Sequence, residues 1–216
     1  MAQHKIYLVH GFMGAKLELK VLHESIEKEG FTSEIFTYRS LKEDVDSVGK
    51  MLFDKVRSDN VDSVSFVTHS MGGLVVRAMY EYINDSIQFS HIQRIVMIAP
   101  PNNGSPVADF FVKYPFAEKI GGPNLQNLTT DSVSGAKKYP LPKNCEVGII
   151  IGIADKKDGY NVLLKTENDG LVTPESAKIG IEKDIIYVKA THWGLLFNKK
   201  VIENTLSFLK NGKFEH

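Results

Sequence analysis

The chain predicts an α/β fold, with a mostly parallel central sheet of about six strands and helices on both faces. Three observations lead there. Short apolar runs alternate with segments of helical period along the chain, the mark of repeated strand–helix–strand crossovers. Residues Glu146 to Ile153 form a nearly unbroken apolar run, as a strand buried on both faces requires. A length of 216 residues suits one domain, 1–216, with a sizeable core.

The elements follow in order. Residues 4–9 read as a strand. Residues 15–29 read as a helix, with Leu19, Leu22 and Ile26 at helical spacing and Gly30 beyond its end. A strand at 31–38 precedes a helix at 43–58 that starts on acidic residues. Then come strand 62–68, helix 72–84 and strand 92–98. After the 146–153 strand, a strand at 184–190 and a helix at 196–210 close the chain. The stretch 101–145 breaks the pattern: it holds six prolines and few periodic segments. Its aromatics Phe110, Phe111, Tyr114 and Phe116 suit either of two roles. A short helix would pack them into the core, or they would form a wall or small lid over an apolar pocket.

Composition excludes several classes. Lysine plus arginine equals aspartate plus glutamate, 26 each, and lysine pairs such as Lys137-Lys138 are scattered, so nucleic acid is not an expected partner. Cys145 is the sole cysteine and leaves no intrachain disulfide to form. No run nears the ~20 apolar residues of a membrane span. The N-terminus has no secretory pattern, which predicts a cytoplasmic protein, or a secreted one whose leader has been removed.

Chemistry concentrates at Thr68-His69-Ser70-Met71-Gly72-Gly73, between the apolar run Val64–Val67 and the helical segment Leu74–Met79. Strand, sharp turn and helix hold a serine out of the sheet. A serine hydroxyl is a poor nucleophile until a base takes its proton and donors receive the oxyanion. The N–H of Met71, at the start of the helix, is one expected donor. The other is the N–H of Phe12, in His10-Gly11-Phe12-Met13-Gly14 after the first strand, where glycines allow close backbone approach. Of the seven histidines, His192 follows the last strand, and parallel strands open their loops on one edge of the sheet. His69 is expected to support the turn, since neighbouring side chains there point apart, and His10 to bond within its own loop. The acid that orients the imidazole is left open between Asp169, Asp155 and Asp158.

These segments together resemble the lipase branch of the α/β-hydrolase superfamily. Val9–Gly14 resembles its oxyanion loop, Thr68–Gly73 its nucleophile elbow, and Ala99–Ser105 its stretch after the next strand. Asn168–Val172 and Glu175–Ala177 are similar to its acid loop, and His192–Leu196 to its histidine loop. The segments run in family order over nearly the whole chain. The resemblance implies a compact serine lipase or esterase that needs no metal or organic cofactor. Its triad would be Ser70, Asp169 and His192, and its substrate a small-molecule or lipid ester. It favours Asp169 over Asp155. One departure is Thr68, where the family's G-x-S-x-G motif has glycine. Thioesterase, acyltransferase or amidase chemistry on the same triad, and a non-catalytic binding module, are the alternatives.

Overall fold

The structure is a computed structural model and describes residues 3–84, 89–156 and 159–216, without the side chains of residues 118 and 120. Six strands form one sheet: β1 (His4–Val9), β2 (Thr32–Phe36), β3 (Ser63–His69), β4 (His91–Ile98), β5 (Glu146–Gly152) and β6 (Asp184–Val188). Their order is β2-β1-β3-β4-β5-β6, and every pairing is parallel. Strand polarity therefore puts all the loops that leave the strands on one edge.

The longer helices are α1 (Lys20–Lys28), α2 (Val45–Asp59), α3 (Gly72–Met79) and, at the end of the chain, α8 (Lys199–Asn211). Four short ones lie between: α4 (Pro106–Phe111), α5 (Ala117–Gly121), α6 (Gly135–Lys138) and α7 (Pro174–Ala177). The expected 15–29 helix divides into a 3₁₀ turn at Lys16–Leu19 followed by α1. Side chains alternate across the strands, so β1 feeds two cores. Ile6 and Leu8 pack with Leu22 and Ile26 of α1 and Phe208 of α8 on one face. Tyr7 and Val9 pack with Val48 and Leu52 of α2 and Leu74 of α3 on the other. Asp44 caps α2 by accepting from Ser47 N–H, and Asn60 ends it in left-handed backbone.

The 101–145 segment is anchored from beneath. Arg77 of α3 is buried, and its guanidinium donates to the carbonyls of Asn102 (2.9 Å), Ala136 (2.9 Å), Tyr139 (2.6 Å) and Pro140 (3.2 Å). The expectation that its aromatics pack into the core does not hold. Val107 and Ala108 take the inner face of α4, which turns Phe110 and Phe111 outward. Phe110 stacks edgewise on Phe111 and Tyr114 at the surface. Among the described residues, no helix is long and apolar enough to cross a membrane.

Candidate active site

The turn after β3 is tight and strained. Ser70 has φ +52°, a conformation that costs a non-glycine residue on the order of 1 kcal/mol. It is held by its N–H, which donates to the Ile98 carbonyl at 2.9 Å. Glycines surround it because nothing else fits. A Cβ on Gly72 would stand 2.3 Å from the Val9 carbonyl oxygen, and one on Gly11 2.8 Å from the Ser70 Cβ. The loop after β1 and the turn after β3 thus touch backbone to backbone. Thr68 fits beside Gly73 without crowding: even a Cβ there would stand 3.6 Å from Thr68 Oγ1, an ordinary contact.

Phe12 lines the cavity above Ser70, in a loop braced by three hydrogen bonds. Met13 N–H donates to Ser40 Oγ (2.9 Å), Gly14 N–H to the Gly11 carbonyl (3.1 Å), and Tyr38 OH to the His10 carbonyl (2.7 Å). The His10 ring stacks flat on Tyr38, 4.1 Å between centroids, and its Nδ1 donates to the Gly11 carbonyl. Among the described residues, neither Phe12 N–H nor Met71 N–H donates to a protein acceptor. Phe12 is a wall of the cavity, and Met71 follows Ser70 at the start of α3.

Asp169 and His192 meet across two loops. Asp169 Oδ2 lies 2.7 Å from His192 Nδ1, and both side chains are buried. Asp169 Oδ1 accepts from Leu171 N–H (2.9 Å) and Val172 N–H (2.8 Å), so the carboxylate cannot rotate away. The carboxylate has no hydrogen to give. The imidazole therefore carries its proton on Nδ1 and presents an Nε2 lone pair elsewhere. The backbone repeats the link, His192 N–H donating to the Asp169 carbonyl at 2.8 Å. Gly152, at the end of β5, makes room: a Cβ would stand 2.8 Å from Asp169 Cβ. Asp155 is exposed and pairs with Lys189 at 2.6 Å. Asp158 lies outside the described residues.

Ser70 and His192 line one apolar cavity of about 220 Å³, with Phe111, Leu128, Val172 and Trp193 among its walls. Among the described residues, Ser70 makes no hydrogen bond to the His192 ring. Such contacts are often long without substrate and tighten when it binds. A larger cavity of about 970 Å³ opens at the opposite edge of the sheet. It is lined by Lys5, Asp59 and Arg94, whose charges are already paired, Lys5 with Asp59 and Arg94 with Glu146. Size does not choose between the two; the smaller one gathers a strained serine and a histidine held by a buried carboxylate.

Of the other histidines, His4 meets Ser63, His23 meets Ser33 and His216 meets Asp184, all away from the cavity. His69 lines it but turns its ring to the back, where Nε2 donates to the His192 carbonyl at 3.2 Å. Behind His69 lies Glu18, which sequence reasoning passed over. Its Oε1 stands 3.5 Å from Gly11 N and 3.7 Å from His69 Nδ1. Burial pushes the Glu18 carboxyl up, but the His69 contacts and the Gly11 N–H outweigh it and hold the group below the usual carboxylate range. Burial holds His69 below the ordinary histidine value, with Glu18 opposing.

With this geometry in view, three solved structures are similar throughout. Mature lipase BlEst2 of Bacillus licheniformis is 21% identical with a TM-score of 0.71, over 97% of this chain and 90% of that one. A metagenomic carboxyl esterase, MGS0156, is 20% identical with a TM-score of 0.70, over 89% of this chain and 65% of that one. The lin2722 gene product of Listeria innocua is 18% identical with a TM-score of 0.64, over 99% and 96%. The chain has the α/β-hydrolase fold in its lipase-like form. A search of the curated proteins finds no match. Residues 4–111, half of the chain, match the family described as a domain of unknown function, DUF7379, and the chain belongs to that family.

Proposed function

We propose that the protein is a serine hydrolase that cleaves carboxylic esters with an apolar acyl group. The observation that carries this is the convergence at one sheet edge of a strained serine, a histidine locked on a buried carboxylate, and two free N–H groups. The walls of the cavity and two structural neighbours, a lipase and a carboxyl esterase, support it.

Ser70 Oγ attacks the acyl carbon while His192 Nε2 takes its proton. The carbonyl π pair moves onto oxygen, where Phe12 and Met71 N–H donate to it. Asp169 keeps the tautomer and stabilises the imidazolium without accepting the proton. The bond to the alcohol oxygen breaks and His192 returns the proton to that oxygen. Water, deprotonated by His192, then attacks the acyl-Ser70 carbonyl; the bond to Ser70 Oγ breaks, His192 returns the proton to that oxygen, and the acid leaves. No step calls for a metal or an organic cofactor.

The test is hydrolysis of p-nitrophenyl acetate, butyrate, octanoate and palmitate, with matching thioesters, by wild type and Ser70→Ala. Loss of Ser70 is expected to lower kcat on the order of 10⁴–10⁶-fold. The preferred chain length reports how far the cavity extends, and a thioester preference moves the substrate class. Undiminished turnover by folded Ser70→Ala overturns the reading.

A further inference from the structure

We propose that Glu18 is a positioning residue of this site, a second, partly buried carboxylate whose charge reaches His192 through His69. The inference rests on the serine-hydrolase reading. Glu18 belongs to the 3₁₀ turn that follows the oxyanion loop, and it points back beneath that loop. Its carboxylate end packs closely on the loop: a Cβ on Gly14 would stand 2.3 Å from Glu18 Oε1. Among the described residues, no lysine or arginine pairs with it; its one ionic neighbour is His69.

That neighbour is poorly matched to a carboxylate. The His69 ring donates Nε2–H to the His192 carbonyl, so a neutral ring turns the Nδ1 lone pair toward Glu18. Nδ1 is fully buried and has no hydrogen-bond partner, and 3.7 Å exceeds hydrogen-bond length. The distance is also too short for a water in line, which needs two bonds of about 2.8 Å. While the His69 ring is neutral, a partly buried anion facing its orphaned nitrogen is costly. It becomes favourable when positive charge arrives nearby. The His192 ring lies 4.8 Å from the His69 ring, and His192 is the group that becomes an imidazolium during turnover. Interactions stronger in the transition state than in the resting state are the ones that raise rate. Glu18 thus supports that charge from behind as Asp169 does from the side, and its grip on Gly11 N–H steadies the oxyanion loop.

The groups that face this path are few. Asp169 and His69 face His192; Glu18 and His192 face His69; His69, His10 and the Tyr38 hydroxyl act on Glu18. Glu18→Gln keeps the shape and removes the charge, whereas Glu18→Asp keeps the charge. Removing the negative charge disfavours the imidazolium, so the acidic limb of kcat/KM in Glu18→Gln is expected to move to lower pH by about half a unit or more. kcat should fall about tenfold with little change in KM. Glu18→Asp should retain the wild-type limb. Acidic limbs of wild type and Glu18→Gln that superimpose overturn the proposal, because a purely structural role moves stability and not the limb.

Imidazole ¹⁵N NMR reads the same charge without turnover, which separates this proposal from the hydrolase reading. The His192 ring should titrate at lower pH in Glu18→Gln, and an unchanged titration refutes the coupling. In wild type, His69 should carry its neutral-pH proton on Nε2. A proton on Nδ1 alone would break the bond to the His192 carbonyl and overturn the path, even if no variant folds.

Discussion

The two edges of the sheet handle polar groups in opposite ways. At the edge where the strands begin, charges are saturated with partners. Lys5 bridges Glu34 and Asp59, Lys55 joins the same two acids, and Tyr7 OH donates to Asp59. On the next strands Arg94 and Lys183 share Glu146. At the edge where the strands end, backbone is strained and polar atoms are left over. Met13, Ser70 and Ala99 all have positive φ, and Thr68 Oγ1 and His69 Nδ1 are buried without partners. One edge is built for stability. The other gives up stability around Ser70 and His69, and functional sites are where strain and orphaned polar atoms tend to gather.

The sharpest way to break this comparison is the acid. Asp169→Asn is expected to lower kcat about 10⁴-fold in a protein that stays folded, because the amide favours the wrong imidazole tautomer. Asp155→Asn, on its exposed pair with Lys189, should leave kcat within about twofold. Equal effects of the two on ester turnover would remove Asp169 from the site.

A second probe is the backbone contact that joins the elbow to the oxyanion loop. Gly72→Ala sets a methyl 2.3 Å from the Val9 carbonyl oxygen and 2.8 Å from that of His10. Neither is a flexible side chain, so the backbone must shift. Chemical denaturation should show a loss of about 1–3 kcal/mol, with activity falling by more than that loss of folded protein explains. Unchanged stability and turnover would mean that the two segments are not in contact.

The smallest effect belongs to the other edge and depends on pH. Burial alone raises the Asp59 carboxyl, but hydrogen bonds from Lys5, Lys55 and Tyr7 outweigh it and hold the group far below the usual carboxylate range. An unfolded chain protonates this group first as pH falls. Its stabilisation is therefore complete above about pH 4 and is lost as pH drops through the folded value. Asp59→Asn should cost on the order of 1 kcal/mol at pH 7, a gap that narrows on acidification, with kcat unaltered. A gap that widened with acid would reverse the assignment.

How legible all this was in the sequence depends on what kind of signal each residue leaves. Strands and helices follow from apolar period, and the six strands fall within a few residues of where that period puts them. Ser70 announces itself through a small-residue turn after an apolar run, and His192 by following the last strand on the edge where that turn opens. Asp169 does not: Asn168-Asp169-Gly170 reads as any turn, and only the resemblance preferred it, whereas the structure sets it on His192 by folding the chain over Gly152. Glu18 and Arg77 were silent because a charged residue at helical spacing reads as solvent-facing. Their partners lie on other loops, residues 11 and 69 for Glu18 and 102 to 140 for Arg77. The outward turn of Phe110 and Phe111 was equally hidden, since it depends on which face of a six-residue helix Val107 and Ala108 take.

The central claim is that Ser70 is an activated nucleophile. The most direct measurement is reaction of the folded protein with a fluorophosphonate, followed by peptide mass mapping of the adduct. One equivalent should attach at Ser70, fast in wild type, slowed by orders of magnitude in Asp169→Asn and absent in Ser70→Ala. Folded wild type that stays unlabelled, or that carries its adduct on another residue, would contradict the account.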